Sequence, residues 1–146
     1  MGTRLGLLAR DLAKIMASGT PAAGGGVPQP FTQGSFTGTL TGYASPPTGS
    51  VKYAIAGKIV TLNIPVLSGT SNATTMTLTG APVALKPVTA KTVLVIATDN
   101  GTAAVATAVI GTDGVLTFSK GLGTGGAWTG SGTKGVALLQ VSYSLD

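Results

Sequence analysis

The feature that most constrains the fold of this chain is an alternation of apolar and polar residues that recurs from Ser35 to Asp146. Short runs rich in Val, Ile, Thr and Tyr are separated by Gly, Pro, Asn and Asp. Side chains on a β-strand point to opposite faces in turn, so this period predicts strands with one buried face. The predicted strands are Ser35–Thr41, Val51–Ala56, Ile59–Pro65, Thr74–Thr79, Thr92–Asp99, Thr102–Ile110, Val115–Ser119 and Val136–Leu145.

Tight-turn signals between these runs predict antiparallel hairpins. Asn100-Gly101 is the strongest, because both residues tolerate the positive φ angles of a two-residue turn. Gly57-Lys58 and Thr112-Asp113-Gly114 mark two further turns. Many short strands at this spacing predict an all-β fold, and we expect an antiparallel, jelly-roll-like β-sandwich over residues 35–146.

Two of the predicted strands depart from alternation. Thr92–Ala97 is apolar at consecutive positions and is predicted to be buried on both faces. Thr102–Ala108 carries small side chains on both faces, which let another surface approach closely. We therefore expect Thr102–Ala108 to lie near a contact between subunits.

Residues 1–18 form the one helical candidate. Leu5, Leu8, Leu12 and Ile15 fall on a single stripe at helical spacing. An isolated helix of this length is marginal in water, so the stripe needs a partner surface. The stripe packs either on the β-domain of the same chain or on another molecule. In the second case the segment is an anchoring arm on a host particle, or a short trimeric coiled coil with sister subunits.

A linker over residues 19–34 separates this helical candidate from the strands. It contains Gly24-Gly25-Gly26 together with Pro21, Pro28 and Pro30, a composition that cannot build a core. The linker favours the anchoring arm over a helix packed on its own domain.

Chemically reactive side chains are scarce. The chain has no His, no Cys and no Glu, and its carboxylate side chains are Asp11, Asp99, Asp113 and Asp146. Enzymes draw most acids, bases, nucleophiles and metal ligands from these residue types, so we predict no enzymatic activity, no cofactor and no metal site. Asp99 and Asp113 lie beside turn residues and are expected to face solvent.

Charge and hydropathy limit the kinds of partner that this chain is expected to bind. The net charge is +5, but the Lys and Arg residues are scattered, without the clustered basic stripe of nucleic-acid-binding proteins. No apolar run is long enough to span a bilayer, so we expect synthesis in the host cytoplasm without membrane insertion. Only 9% of residues are charged and 43% are hydrophobic, which predicts that part of the surface is buried in an oligomer.

The Gly-rich stretch Gly121–Gly126 is followed, two residues later, by the lone tryptophan of the chain. The stretch lacks the strand-before, helix-after context of a dinucleotide loop, so we interpret it as a long loop at the edge of the β-domain. Trp128 either contacts a ligand, as loop aromatics do when they stack on sugars, or packs into the core or a subunit contact.

Three sequence steps carry a resemblance to surface modules of tailed-bacteriophage virions. They are SGTSNAT at Ser68–Thr74, LTGAPVALKP at Leu78–Pro87 and GTDGVLTF at Gly111–Phe118, within matching stretches Gly34–Pro87 and Val109–Leu145. The resemblance implies a β-rich, usually trimeric module of the fibre, spike or capsid-decoration type. It supplies no catalytic residues.

Together these observations predict a virion structural protein, a small homotrimeric spike or head or tail fibre that binds a major capsid or tail protein through residues 1–18. One alternative is a capsid-decoration (cement) protein that stabilises neighbouring capsomers. Another is a module that reads glycans on the host surface, which is compatible with the first role.

Overall fold

The computed structural model describes residues 30–123 and 125–146, and this part of the chain is all-β, as predicted. It contains ten strands and a single 3₁₀ turn, Val83–Leu85. The strands are β1 (Phe31–Thr41), β2 (Thr48–Ala56), β3 (Ile59–Ile64), β4 (Leu67–Thr70), β5 (Met76–Thr79), β6 (Lys91–Asp99), β7 (Thr102–Ile110), β8 (Leu116–Lys120), β9 (Thr133–Val136) and β10 (Leu139–Ser144).

The jelly-roll-like sandwich is not confirmed, because all ten strands belong to one antiparallel sheet. Their order is β10-β3-β2-β1-β5-β8-β7-β6-β9-β4. The long strand β1 joins the two halves: it pairs with β2 over Phe31–Thr39 and with β5 over Thr39–Thr41. The sheet curls until β10 contacts β6, although these strands are far apart in the order.

The N-terminal segments lie mostly outside the described residues. The predicted anchor at residues 1–18, with Leu5, Leu8, Leu12 and Ile15, is among the residues of which the structure gives no description. Strand β1 begins at Phe31, inside the stretch assigned to the linker. The Gly57 amide of the β2–β3 turn donates to the Pro30 carbonyl at 3.1 Å, which ties the start of β1 to that turn.

The predicted hairpin between β6 and β7 is confirmed. Asn100 and Gly101 have φ angles of 49° and 77°, the pair of positive values that a type I′ turn requires. The ladder then runs without interruption from Asp99↔Thr102 to Lys91↔Ile110. This turn therefore sets the register of a long hairpin, whose ladder is matched in length by that of β1 and β2.

The core lies on the concave face of the curled sheet. Alternation is clearest in β3, where Val60, Leu62 and Ile64 are fully buried and the residues between them are not. Burying each such side chain contributes about 1.5–3 kcal/mol. Strand β10 adds Tyr143, whose hydroxyl donates to the Leu85 carbonyl at 2.6 Å and joins the 3₁₀ turn to the sheet.

Sequence patterning did not predict β4 and β9, which pair with each other from Leu67↔Val136 to Thr70↔Thr133. Both contain Gly, and β9 also contains Lys; these residue types are poor strand formers. Their pairing depends on tertiary contacts instead. A Cβ at Gly135 would clash with the Leu67 carbonyl and with Ser68, so only glycine allows the two backbones to approach this closely.

Candidate functional site

A polar cluster lies between the β8–β9 loop and the ends of β6, β8 and β9; we define it by Ser71, Asp99, Lys120, Thr129 and Lys134. Ser71, Asp99 and Lys134 are buried, Thr129 is half-buried and Lys120 is exposed. Asp99 is 4% exposed at the end of β6. Its carboxylate accepts from Lys120 Nζ at 2.6 Å, from the Thr129 amide at 2.9 Å and from Thr129 Oγ1 at 3.0 Å. Both carboxylate oxygens are therefore occupied.

These contacts correct the expectation that Asp99 faces solvent. Burial alone would raise the pKa of Asp99, but the hydrogen bonds from Lys120 and Thr129 and the Lys120 charge lower it below its ordinary value. Asp113 does lie in an exposed turn, where Oδ1 accepts from the Val115 amide at 3.0 Å. Similar turn signals in the sequence thus lead to two different environments.

Lys134 of β9 is fully buried. Its Nζ donates to the carbonyls of Ala73 and Thr75, each at 2.8 Å, and lies 5.0 Å from the centre of the Tyr43 ring. Burial lowers the pKa of Lys134, while the Asp99 charge acts in the opposite direction. The ammonium group fastens the loop after β4 to β9.

Trp128 packs into the core, which favours the packing alternative over the ligand contact. The indole is 2% exposed, and its Nε1 donates to the Phe118 carbonyl at 2.7 Å. The Trp128 amide also donates to the Thr74 carbonyl at 3.0 Å. In the described chain the ring presents no open face on which a sugar could stack.

The polar cluster is saturated by its own contacts. Ser71 Oγ donates to the Thr129 carbonyl at 2.7 Å, which completes the connection between the β4–β5 loop and the β8–β9 loop. Within residues 30–123 and 125–146, no buried side-chain nitrogen or oxygen lacks a hydrogen-bond partner. The same residues contain no group of three side chains suited to holding a metal ion. The arrangement serves to hold two loops together.

A second region has the opposite character; we call it the apolar face and define it by Leu94, Ile96, Val105 and Leu138. Their exposed fractions are 65%, 54%, 46% and 75%. The four side chains border a hollow of ≈ 380 Å³ that is otherwise lined by Val95, Ala137, Leu139 and Gln140. Large apolar side chains grouped in this way mark interaction surfaces on small proteins.

The apolar face corrects the expectation for Thr92–Ala97. Val95 and Ala97 are buried, but Leu94 and Ile96 on the other face of β6 are exposed in the single chain. The expected subunit contact at Thr102–Ala108 stays a prediction, and within the chain part of β7 is already covered. Ala106, Thr107 and Ala108 are buried in succession, and Thr107 Oγ1 donates to the Gly121 carbonyl at 2.9 Å.

A third region is a polar hollow on β1, β2 and β3, also ≈ 380 Å³ in volume. It is lined by exposed polar side chains: Gln33, Ser35, Lys52 and Asn63. The register explains the grouping, because Ser35 pairs with Lys52 and Lys52 pairs with Asn63 across neighbouring strands. No sequence motif marks this hollow, since its members are adjacent only through strand pairing.

No helix in the described part of the chain is long and apolar enough to cross a bilayer. No protein-family model matches the sequence, and no curated protein matches it. Among solved structures, the chain is similar to a reovirus attachment protein, sigma1, solved in complex with alpha-2,3-sialyllactose. The identity is 16%, the TM-score is 0.49, and the match covers 78% of this chain and 66% of that chain. At that score the likeness establishes neither a family nor a ligand.

Proposed function

We propose that this chain is a structural protein of a tailed-bacteriophage virion, a small homotrimeric spike or fibre. Residues 1–18 attach it to a major capsid or tail protein, and the β-domain projects from the particle. The sequence resemblance over Gly34–Pro87 and Val109–Leu145 motivates the class. The role involves assembly, without a chemical reaction or a cofactor.

The positions that carry the resemblance support a scaffold role, because they build the fold. Ser68–Thr74 forms most of β4 and the loop that leads to the Lys134 ammonium. Gly111–Phe118 forms the β7–β8 turn, where the Gly111 amide donates to the Val115 carbonyl at 2.9 Å. These residues therefore form and connect strands of the sheet.

The observation that carries the proposal is the contrast between the polar cluster and the apolar face. The buried Asp99 carboxylate is paired with Lys120 and the buried Lys134 ammonium with backbone carbonyls, whereas large apolar side chains are left on the surface. That distribution suits a protein whose work is to bind other proteins.

A second function, glycan binding, is favoured by the polar hollow. Amide and hydroxyl groups such as Gln33, Asn63 and Ser35 can donate to and accept from sugar hydroxyls, and Lys52 can pair with an acidic sugar. This function is compatible with a spike or fibre. Titration of a glycan library against the chain and against Asn63→Ala tests it: binding that the substitution does not weaken would rule out this hollow.

The attachment role is tested by two adjacent substitutions in the full chain. Leu12→Asp places a carboxylate on the Leu5/Leu8/Leu12/Ile15 stripe, and Ala13→Asp places the same charge beside it. We expect Leu12→Asp to lower the copy number on purified particles, measured by quantitative mass spectrometry, and Ala13→Asp to leave it near wild type. Equal copy numbers for both would contradict the anchor.

Imaging of the same particles separates the spike or fibre from capsid decoration. A decoration protein would occupy every local three-fold or two-fold position of the capsid. A tail fibre would be confined to the tail, in low copy. Absence of the chain from the particle would end the proposal.

A further inference from the structure

We infer that the apolar face is the surface through which copies of this chain bind one another. The inference rests on the proposed homotrimer and names the residues that hold it together: Leu94 and Ile96 of β6, Val105 of β7 and Leu138 before β10. Of these four residues, only Leu138 lies in a stretch that carries the sequence resemblance.

The sequence of β6 supports a covering partner. A strand that is apolar at consecutive positions is typical of a strand with both faces buried. In the single chain only the Val95 and Ala97 face is buried, and Leu94 and Ile96 on the other face are exposed. A second copy laid over the apolar face gives β6 the two-sided burial that its sequence is suited to.

The absence of charge around the hollow indicates that a second copy of the chain covers the apolar face. None of the residues that line the hollow is ionisable, although the chain carries a net charge of +5. Two identical, positively charged chains repel each other wherever their lysines meet, so they associate most easily through a surface without charges. A nucleic acid or an acidic protein would instead be bound by lysines, which this surface lacks.

The shape is suited to a partner of the same kind. Leu138 is 75% exposed and stands at the rim of the hollow, so each copy has both a protruding leucine and an apolar depression on one surface. In a closed symmetric assembly every subunit supplies both sides of the contact.

The hollow is also held open by the fold. At one end β6 pairs with β9 through Ala97↔Val136 and Thr98↔Gly135. At the other end the Val88 amide donates to the Leu145 carbonyl at 2.8 Å. Between these points no ladder joins β6 to β10, two strands that the structure describes throughout. A preformed depression needs little rearrangement on binding, which lowers the cost of association.

Sedimentation equilibrium of the full chain over a range of micromolar concentrations tests the inference. The face variants are Leu138→Lys and Leu94→Lys. The matched control is Val83→Lys, at a valine 77% exposed on the 3₁₀ turn. The 3₁₀ turn is close to the β7–β8 turn, because Gly114 neighbours Ala81 and Lys86. The β7–β8 turn lies at the Lys91 end of β6, away from Ile96. Trp128 fluorescence monitors the fold of each variant.

We expect trimers for the wild type and for Val83→Lys, and at least about tenfold weaker association for both face variants with unchanged Trp128 emission. If the wild type is trimeric and the face variants associate equally well, this surface is wrong and the proposed homotrimer stands. If the wild type is monomeric throughout, the homotrimer fails and the inference with it. Loss of native Trp128 emission in both face variants would assign Leu94 and Leu138 to the fold and overturn the inference.

Discussion

The polar cluster and the apolar face lie at neighbouring parts of the same sheet and invert the usual distribution of residues. In the cluster, Lys134 and Asp99 are buried. On the face, a few residues away along β6, Leu94 and Ile96 are exposed. Buried charge is tolerated when it is hydrogen-bonded, and Lys134 and Asp99 each have more than one hydrogen-bond partner.

The two regions differ in where their partners come from. The polar cluster is complete within one chain, because Ala73, Thr75, Lys120 and Thr129 supply its contacts. The apolar face has no such partner within the described chain. We therefore expect substitutions in the cluster to change the free energy of unfolding of the subunit, and substitutions on the face to change association.

The largest effect on folding is expected for Lys134→Met. Methionine keeps most of the side-chain volume but leaves the Ala73 and Thr75 carbonyls without their donor. The expected loss is about 2–4 kcal/mol in the free energy of unfolding, measured by urea denaturation with Trp128 fluorescence as the signal. Lys52→Met, at an exposed lysine, is the control and should stay within about 0.5 kcal/mol of wild type. A loss that small for Lys134→Met would mean that its hydrogen bonds only offset the cost of burying the charge.

Asp99→Asn should have the next largest effect. The amide cannot reproduce the ion pair with Lys120 and the two hydrogen bonds from Thr129 at once. A hydrogen bond to a charged group contributes about 1.5–3 kcal/mol net to stability, so we expect a loss of about 1.5–3 kcal/mol. Asp113→Asn is the matched control in an exposed turn. Equal stabilities for the two variants would place Asp99 in solvent, as the sequence alone suggests.

Trp128→Phe should cost about 1–2 kcal/mol. Phenylalanine fills less of the core and leaves the Phe118 carbonyl without the indole donor. Because the substitution removes the only tryptophan, circular dichroism is the suitable signal for its thermal unfolding. An unchanged midpoint would indicate that the indole is not held as the structure places it.

The smallest effect is a pH dependence. The pKa of Asp99 is lower in the folded chain than its ordinary value, so the unfolded chain binds more protons between the two values. Stability from this group is complete above about pH 5 and is lost as the pH falls through the ordinary aspartate value of about 3.9 towards the folded value. The wild type should lose stability on acidification more steeply than Asp99→Asn. If the free energy of unfolding changes with pH in the same way for both proteins, the lowered pKa of Asp99 in the folded chain is wrong.

Local patterning was enough to predict eight of the ten described strands and the main turns. Alternation located Val60, Leu62 and Ile64, and Asn100-Gly101 located the β6–β7 turn. Patterning failed at β4 and β9, since a strand containing Gly135 or Lys134 is stabilised by tertiary contacts that no local signal carries. It also could not show that β1 joins both halves of the sheet.

The candidate sites were less predictable for a related reason. Asp99 and Asp113 have alike neighbours in sequence, and only the arrival of Thr129 and Lys120 from distant segments distinguishes them. The polar hollow depends in the same way on the register that brings Ser35, Lys52 and Asn63 together. Residues 1–18 fall outside the described part of the chain, so the anchor stays a prediction.

The comparison is tested most directly by the accessibility of the apolar face as protein concentration changes. Because the chain has no cysteine, Leu138→Cys introduces a unique thiol on the face, and Val83→Cys introduces one away from it. We expect the rate of thiol alkylation at Leu138→Cys to fall as protein concentration rises into the associated range, and the rate at Val83→Cys to stay constant. Rates that are independent of concentration at both positions would contradict the account.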